Sequence, residues 1–433
     1  MTQLEATELN PSDPVFLSYR QCDGTLITTE LAWILRAAGI PVWRDQDDLP
    51  PGDTIERLKQ AIADGLSGAV LIVTEDVANS EVVKFTESPL LIELHKKDSA
   101  FALAIANDLL VNDQIDYAAP DRLLAKQAGT LKGVDQQTSN REGLLTLAKK
   151  LLWHRMALHR TLVATQGRFS LSVQTRNMAQ SLDRTGGQLD IRLRRSLHEK
   201  LPSPQGLRDL QDTLAFLPDA VVRAGAPSVQ IRGGAHLSIA YSIGAALPSS
   251  RVGEIEIIDQ RDESWKSTSE SIQNGLALAT RPAVVNPVKP PNTNRPRVAV
   301  YVDLLSQPSP AAFERFLEEH QSSFHAWVHI EPNSRETLLN PGQAGDLAAS
   351  IMAQMRELSG AHSNAEVHLL LRCPFPIAVL LGRLSNTLTT VVYEWDDVFD
   401  DEAADFRPIY VPTLRIRPSG AAGAITEVLL PAA

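Results

Sequence analysis

The feature that most constrains the fold is an internal repeat in the second half of the 433-residue chain. The stretch 229–244 (VQIRGGAHLSIAYSIG) aligns with 367–382 (VHLLLRCPFPIAVLLG), and the helical parts match without a gap. Each copy has the pattern of a strand, a tight turn containing Gly or Pro, and an apolar helix. Flanking strands are predicted at 169–173, 252–259, 298–302 and 388–395. Two similar α/β halves side by side form a pseudo-twofold cleft at the C-terminal strand ends, where open α/β sheets bind ligands.

Strands and helices alternate in the N-terminal part of the chain. The run 68–74 (GAVLIVT) is continuously apolar, which is typical of a strand buried on both faces, and 101–105 is similar. The other predicted elements are strands at 14–19 and 40–43, a turn-rich loop at 44–53, and helices at 28–38, 54–65 and 142–165. This alternation predicts a parallel sheet with helices on both faces.

A proline-rich stretch separates the two repeated halves. Residues 282–296 contain five prolines in fifteen positions, so they cannot form a helix or a central strand and are predicted to be an extended connector. The sequence therefore predicts an N-terminal domain at 1–155 and a C-terminal domain at 156–433. The halves of the second domain are placed at about 160–281 and 297–433.

Composition and charge exclude several classes of protein. Hydrophobic residues make up 43% of the chain, which rules out a wholly disordered protein, and no apolar run approaches the roughly 18 residues of a spanning helix. The first fourteen residues lack the pattern of a signal peptide, and the two cysteines lie far apart, so a reducing cytoplasm is expected. The net charge of −11 argues against a nonspecific duplex DNA binder.

One basic stretch interrupts this acidic chain. Residues 151–200 hold 9 basic and 3 acidic side chains. The simpler interpretation is a solvated helix and strand surface, and the alternative is a local site for a phosphorylated ligand.

A series of short motifs in the first domain gives a family resemblance. In order they are FLSY at 16–19, Asp23, VWRD at 42–45, LPPG at 49–52, AVLIV at 69–73, and Ser80 followed by KFTE at 84–87. Over about residues 11–155 this order resembles a TIR domain. Val83-Lys84 stands where the family usually has Trp-Cys before a helix glutamate. TIR domains divide into adaptor scaffolds and enzymes that cleave NAD.

The resemblance implies a catalytic carboxylate at Glu87, with Glu81 and Glu93 as alternatives. Nicotinamide in NAD is already a cationic leaving group, so a carboxylate that stabilises the positive charge developing on the ribose is sufficient. The side chains expected to contact the substrate are Phe16, Arg20, Trp43, Asp45, Asp47 and Lys84. Core packing for Trp43 and turn formation for the two aspartates are the competing interpretations.

The repeated halves resemble a SAVED domain over about residues 160–433. Such domains consist of two fused CARF-like halves that sense cyclic oligonucleotides in CBASS antiphage systems. The residues that carry the resemblance lie in RGGAH at 232–236, RCPFP at 372–376 and VYEW at 392–395, together with Gly244 and Gly382. The expected activator contacts are Arg176, Arg232, Gly233, Gly234, His236, Cys373, Pro374, Glu394 and Trp395.

These residue types suit a cyclic nucleotide. Glycines let backbone N–H groups approach a phosphate at a helix N-terminus, arginines pair with phosphate, and Trp395 or Trp265 can stack on a base. Ordinary tight-turn glycines and a packed tryptophan are the alternatives.

Together the resemblances imply an NAD-hydrolysing effector gated by a cyclic oligonucleotide, with cyclic tri-adenylate as the expected activator. The activator-bound chains are expected to stack head to tail, so that the loop near Asp45 of one chain completes its neighbour's site around Glu87. NAD is the substrate, and neither a resident cofactor nor a metal, a membrane or a duplex nucleic acid is expected. The main rival is a noncatalytic TIR adaptor whose C-terminal half binds a nucleotide or a protein. No nuclease, P-loop or dinucleotide-binding glycine motif appears.

Overall fold

The structure is a computed structural model that divides into two compact units. It describes residues 9–43, 60–176, 187–268, 278–280, 283–287, 295–335, 339–400, 405–418, 420 and 422–431. Unit 1 comprises residues 1–172, 178–193 and 219–226, and unit 2 comprises 173–177, 194–218 and 227–433.

The α-helices and strands alternate through most of the described chain. The α-helices are α1 Gln21–Ala37, α2 Ser88–Lys97, α3 Ala119–Leu123, α4 Arg141–Gln166, α5 Pro204–Leu214, α6 Leu217–Arg223, α7 Leu237–Ala246, α8 Pro310–His320, α9 Ala344–Ala361 and α10 Phe375–Leu384. The first ten strands are β1 Val15–Ser18, β2 Val42–Trp43, β3 Gly68–Val73, β4 Ala102–Asn107, β5 Leu110–Val111, β6 Gln114–Ile115, β7 Asp135–Thr138, β8 Phe169–Gln174, β9 Leu189–Arg192 and β10 Ser228–Gly234. The others are β11 Glu254–Ile258, β12 Ser264–Lys266, β13 Leu278–Thr280, β14 Val284–Val285, β15 Arg297–Asp303, β16 Ala326–Pro332, β17 Glu366–Arg372, β18 Thr390–Asp400, β19 Asp405–Ile416 and β20 Ile425–Val428.

Unit 1 is built on the predicted parallel sheet. Its strand order is β2-β1-β3-β4-β7, and each neighbouring pair runs parallel. All six residues of β3 are buried, as the unbroken apolar run predicted. Because the chain moves from β1 to β2 on one side and then to β3 on the other, the order reverses between β1 and β3. That is the flavodoxin-like arrangement, whose ligand crevice lies outside the carboxyl ends of these two strands.

Two helices of unit 1 can be compared with the bounds that the sequence pattern predicted. Helix α4 was predicted at 142–165 and begins where the Asn140 side chain accepts a hydrogen bond from the N–H of Gly143. Helix α1 was predicted at 28–38 but begins at Gln21. Its first turn is polar and includes Gly24, so no apolar stripe marks the start of the helix. Of the predicted helix 54–65, residues 60–64 are helical, and the remainder before residue 60 lies outside the described residues.

A buried arginine of α4 ties three segments of unit 1 together. The Arg155 guanidinium donates to the carbonyl oxygens of Ser12 (2.6 Å), Asp13 (2.9 Å) and Gln188 (3.1 Å). Burial lowers the pKa of Arg155 to about 9. These three carbonyl oxygens replace the hydrogen bonds to water that the guanidinium loses on burial, which would otherwise be costly.

Unit 2 contains an eight-stranded mixed sheet. Its order is β13-β16-β15-β17-β18-β19-β20, with β14 beside β16. The four strands β16, β15, β17 and β18 run parallel, and β18 and β19 form a long antiparallel pair. A second group in unit 2 pairs β10 with β11 in parallel and β11 with β12 antiparallel. Strand β8 crosses the division between the units, and β9 belongs to unit 1. The described part of the proline-rich connector contains the two-residue strand β14.

The internal repeat is present as two matching strand–turn–helix segments within unit 2. Strand β17 begins 138 residues after β10, and α10 begins 138 residues after α7. The residues that precede the two helices, His236 and Pro374, have the same backbone angles, φ −57° and ψ 144°. The pattern found in the sequence is therefore a structural repeat.

The repeated helices α7 and α10 pack against each other at two equivalent glycines. A Cβ placed on Gly244 would lie 1.9 Å from the carbonyl oxygen of Val379, and one on Gly382 would lie 1.9 Å from that of Tyr241. Both pairs are related by the same 138-residue offset, so the contact is reciprocal. Only glycine permits this approach of the two backbones.

No α-helix among the described residues is long and apolar enough to cross a membrane.

Candidate functional site

The centre of the candidate site in unit 1 is a buried carboxylate held by a hydroxyl. Ser18, the last residue of β1, donates its Oγ–H to Oε2 of Glu87 at 2.5 Å. Glu87 is only 8% exposed and ends a π-helical turn, Val83–Glu87, that leads directly into α2. Such turns place side chains differently from an α-helix and recur at functional sites. A buried, hydrogen-bonded carboxylate at the carboxyl end of β1 lies where this sheet order places a ligand crevice.

A second polar cluster follows β1 and β3. Arg20 donates to the main-chain oxygen of Asp76 at 2.6 Å and pairs with its carboxylate at 3.0 Å. The Cys22 thiol donates to the same carboxylate at 2.9 Å, and this hydrogen bond raises the pKa of Cys22 and lowers the pKa of Asp76. The Cys22 sulfur and a carboxylate oxygen from each of Asp23 and Asp76 lie within 4.8 Å of one another, and Arg20 balances part of the negative charge of the carboxylates.

The other residues expected to contact the substrate are distributed as follows. Phe16 is buried in the core of unit 1, with its ring centroid 5.0 Å from that of half-buried Trp43. Lys84 lies in the π-helical turn, with its Nζ 5.1 Å from the ring centroid of Phe85. Asp45 and Asp47 lie outside the described residues. Arg20, Lys84 and Glu87 are thus the charged members of the predicted set that the described structure locates, and their roles stay predictions.

In unit 2, a buried polar network lies at the N-terminus of the first repeated helix, α7. Oε1 of Glu394, on β18, accepts a hydrogen bond from the N–H of Ser238 at 2.6 Å. Glu394 is buried, and this burial raises its pKa to about 7, while the Ser238 contacts and the charge of Arg176 oppose the shift. A residue from the second half of the repeat therefore holds the helix of the first half.

His236 completes the same network. Its Nδ1 lies 3.0 Å from Oγ1 of Thr175, and its Nε2 lies 3.2 Å from the carbonyl oxygen of Glu199. Burial lowers the pKa of His236 to about 4, and the nearby charge of Arg176 acts in the same direction. The imidazole is therefore neutral at pH 7, while exposed Arg176 supplies positive charge.

Three other predicted residues are the last three of β10, where the sequence pattern predicted a turn. Arg232 is exposed, with its guanidinium 3.4 Å from the carboxylate of Asp262 and 3.3 Å from the side-chain oxygen of Gln230. Gly233 has φ +116°, and a Cβ there would lie 2.1 Å from the carbonyl oxygen of Val173, so this position requires glycine. The nearest atom to a Cβ on Gly234 would be 3.7 Å away, which leaves this backbone more open.

The predicted residues of the second copy lie partly in the same network. The thiol of Cys373 is buried, and burial together with the negative charge of Glu394 raises its pKa, so it stays protonated. Pro374 precedes α10 directly. Trp395 is 39% exposed, and Nζ of Lys200 lies 5.0 Å from its ring centroid. The structure thus brings Arg176, His236, Cys373 and Glu394 into one electrostatic cluster.

Sequence reasoning missed two features of these sites. It gave no role to Ser18, although the hydroxyl stands out in an otherwise apolar strand. It also missed Asp303, a fully buried carboxylate at the end of β15. Asp303 pairs with Arg372 at 2.7 Å and with Arg335 at 3.2 Å. An acidic residue that directly follows an apolar strand was the available signal.

Comparison with known families agrees with the fold. The TIR domain family matches residues 15–105, and the SMODS-associated and fused to various effectors sensor domain, SAVED, matches residues 211–416. The parallel sheet and the first match define a TIR-domain protein. More specifically, a TIR domain precedes a SAVED sensor domain in this chain. Both predicted resemblances are confirmed.

Solved structures with similarity to the chain share little sequence with it. One is the Cap4 SAVED/CARF-domain containing receptor of Acinetobacter baumannii with the cyclic trinucleotide 2′3′3′-cAAA, with 10% identity, a TM-score of 0.44, and coverage of 90% of this chain and 97% of that one. Another is the Cap4 receptor of Moraxella osloensis, with 11% identity, a TM-score of 0.39, and coverage of 88% and 97%. No curated protein sequence matches the chain.

Proposed function

We propose that the chain is an effector of CBASS antiphage defence that hydrolyses NAD to nicotinamide and ADP-ribose when a cyclic oligonucleotide binds its SAVED domain. The observation that carries this proposal is the buried Glu87 carboxylate, hydrogen-bonded to Ser18 at the strand-order reversal of a TIR sheet. The presence of a SAVED domain in the same chain supports a nucleotide-gated enzyme. We further propose that the TIR region extends over 1–155 and the sensor over 156–433, in the cytoplasm.

The proposed chemistry needs only one carboxylate. As the bond between nicotinamide and ribose lengthens, positive charge develops on the sugar, and a carboxylate against that sugar stabilises it. Nicotinamide leaves as a neutral molecule with the bonding electrons, so the leaving group requires no general acid. A water molecule then forms the new bond to the sugar carbon and releases one proton. The hydrogen bond from Ser18 fixes the position of Oε2 of Glu87.

We propose that the activator binds near the α7 N-terminus, with cyclic tri-adenylate as the expected messenger. Exposed Arg176 and Arg232 provide cations for phosphate, the backbone at Gly234 is open, and part of the Trp395 ring is exposed for stacking. Occupancy of the sensor then promotes head-to-tail association of chains. In this proposal the loop near Asp45 and Asp47 of one chain completes the site around Glu87 of its neighbour, a step that rests on family resemblance.

A matched pair of carboxylate variants tests the proposed enzyme. Glu87→Gln keeps the shape of the side chain but removes its charge, whereas Glu93→Gln makes the same change at an exposed position on α2. Purified chain is supplied with 2′3′3′-cAAA, 3′3′3′-cAAA and a panel of cyclic dinucleotides, and cleavage is followed with a fluorescent NAD analogue. Light scattering reports assembly in the same samples.

The proposal expects cleavage with at least one cyclic trinucleotide, a loss of roughly 100-fold or more for Glu87→Gln, and little change for Glu93→Gln. Equal cleavage by the wild type and Glu87→Gln would contradict the role of this carboxylate. Assembly with an activator but no cleavage would favour the noncatalytic adaptor. Cleavage without any nucleotide would contradict the gating.

A further inference from the structure

A groove of about 570 Å³ lies in unit 1 on the segment between β6 and β7. We call it the 117–136 groove. Its polar lining consists of Tyr117, Asp121, Arg122, Lys126, Lys132 and Gln136. The volume is within the usual range for small-molecule sites, roughly 300–1,000 Å³. None of the residues proposed above for NAD or for the cyclic activator lines this groove.

The charge of the groove is positive on a chain that is acidic overall. Three cationic side chains and one carboxylate line it. That carboxylate, Asp121, is already satisfied by the main chain, because its oxygens accept from the N–H groups of Gly129 at 2.6 Å and Leu131 at 3.0 Å. Asp121 therefore shapes the segment and stabilises its turn, and the cations determine which ligand charge the groove favours.

Two of the cations lack a carboxylate partner. Lys126 donates to the main-chain oxygen of Lys84 at 2.7 Å, and its partial burial lowers its pKa. No ion pair of either Lys126 or Lys132 occurs among the described residues. Arg122 instead pairs at 2.9 Å with Asp116, which lies outside the lining. The uncompensated positive charge is thus on the two lysines.

An aromatic ring completes the groove. Tyr117 is 66% exposed, which is unusual for a large side chain with so much apolar surface, and its ring is available to stack on a planar group. Lysine ammonium groups beside an exposed aromatic ring fit a ligand that has both a phosphate and a base.

We propose that the 117–136 groove binds a phosphorylated nucleoside, with the phosphate on Lys126 and Lys132 and the base against Tyr117. This site is separate from the proposed NAD site and from the sensor. Lys126 also donates to the π-helical turn that ends at Glu87, and its ammonium group has two further N–H donors for a phosphate.

Photolabelling of the full chain with 8-azido-AMP tests the proposal without any need for NAD cleavage. Label is expected in the tryptic peptide that contains Tyr117, and AMP and inorganic phosphate are expected to compete while adenosine competes weakly. Lys132→Met is the cleaner variant because the Lys132 side chain makes no hydrogen bond or ion pair among the described residues, and Lys126→Met is the second. Each is expected to reduce labelling about tenfold, the effect of one charge-assisted hydrogen bond.

Lys96→Met, on the exposed last turn of α2 and outside the groove, is the matched control and should label like the wild type. Absence of label from the Tyr117 peptide would overturn the proposal. So would labelling that stays unchanged in both lysine variants, or competition by adenosine as strong as that by AMP. Inactive protein that still labels would refute the proposed NAD cleavage and leave the groove intact.

Discussion

The crossing of α7 and α10 makes a quantitative prediction for Gly382→Ala. The new Cβ would lie 1.9 Å from the carbonyl oxygen of Tyr241, and since real Cβ contacts stay above 3.0 Å, the helices must separate by about 1 Å. Overpacking of this kind costs about 1–3 kcal/mol, and a contact with backbone, which cannot rotate away, belongs at the upper end. Alanine returns up to about 1 kcal/mol of helix propensity. We therefore expect a net loss of about 2 kcal/mol.

Hydrogen exchange measures this loss where it occurs. Amides in the peptides covering α7 and α10 should exchange about 30-fold faster in Gly382→Ala, and equally so in Gly244→Ala because the contact is reciprocal. The control is Gly360→Ala, at an exposed position of α9 where no atom lies within 4 Å of the added Cβ. Exchange in Gly382→Ala as slow as in Gly360→Ala would refute the close approach of the two helices.

Three further predictions follow from buried polar groups. Ser18→Ala should lower kcat for NAD about 10- to 100-fold with little change in KM, because the hydroxyl that positions Oε2 of Glu87 is lost. Ser18→Thr should restore part of the rate, and an unchanged kcat in Ser18→Ala would contradict this role. The folded-state pKa of Glu394 is raised to about 7, so its carboxyl binds a proton more tightly in the folded chain than in the unfolded chain. As pH rises from about 4.5 to 7, the free energy of unfolding of the wild type should therefore fall by a few kcal/mol relative to that of Glu394→Gln. If urea unfolding shows the same pH dependence for both proteins, the prediction is refuted. Arg155→Met should destabilise unit 1 by about 3–5 kcal/mol, because the buried guanidinium and its hydrogen bonds to three main-chain oxygens are lost, and urea unfolding as late as that of the wild type would contradict this.

Local patterns in the sequence predicted most of the fold. The unbroken apolar run of β3 predicted a strand buried on both faces, and all six of its residues are buried. The repeat was visible because helices α7 and α10 meet through equivalent glycines that both copies must keep. The start of α1 was missed, since its first turn is polar and presents no periodic apolar face.

The sites were harder to predict because their contacts join distant residues. The Ser18–Glu87 hydrogen bond spans 69 residues, and the contact between Ser238 and Glu394 spans 156. Neither pairing has a local signature, so family resemblance located Glu87 and Glu394 without their partners. The π-helical turn before α2 could not be predicted from the sequence either, because the mixture of apolar and polar residues over 83–87 is equally compatible with an ordinary α-helix.

The repeat gives unit 2 two copies of one backbone with unlike side chains on them. At the position where the first copy has the bare backbone of Gly234, the second has the cation Arg372, and where the first has the imidazole of His236, the second has the rigid ring of Pro374. A ligand that contacted both copies would therefore meet unlike side chains on its two sides, even if the ligand itself were symmetric.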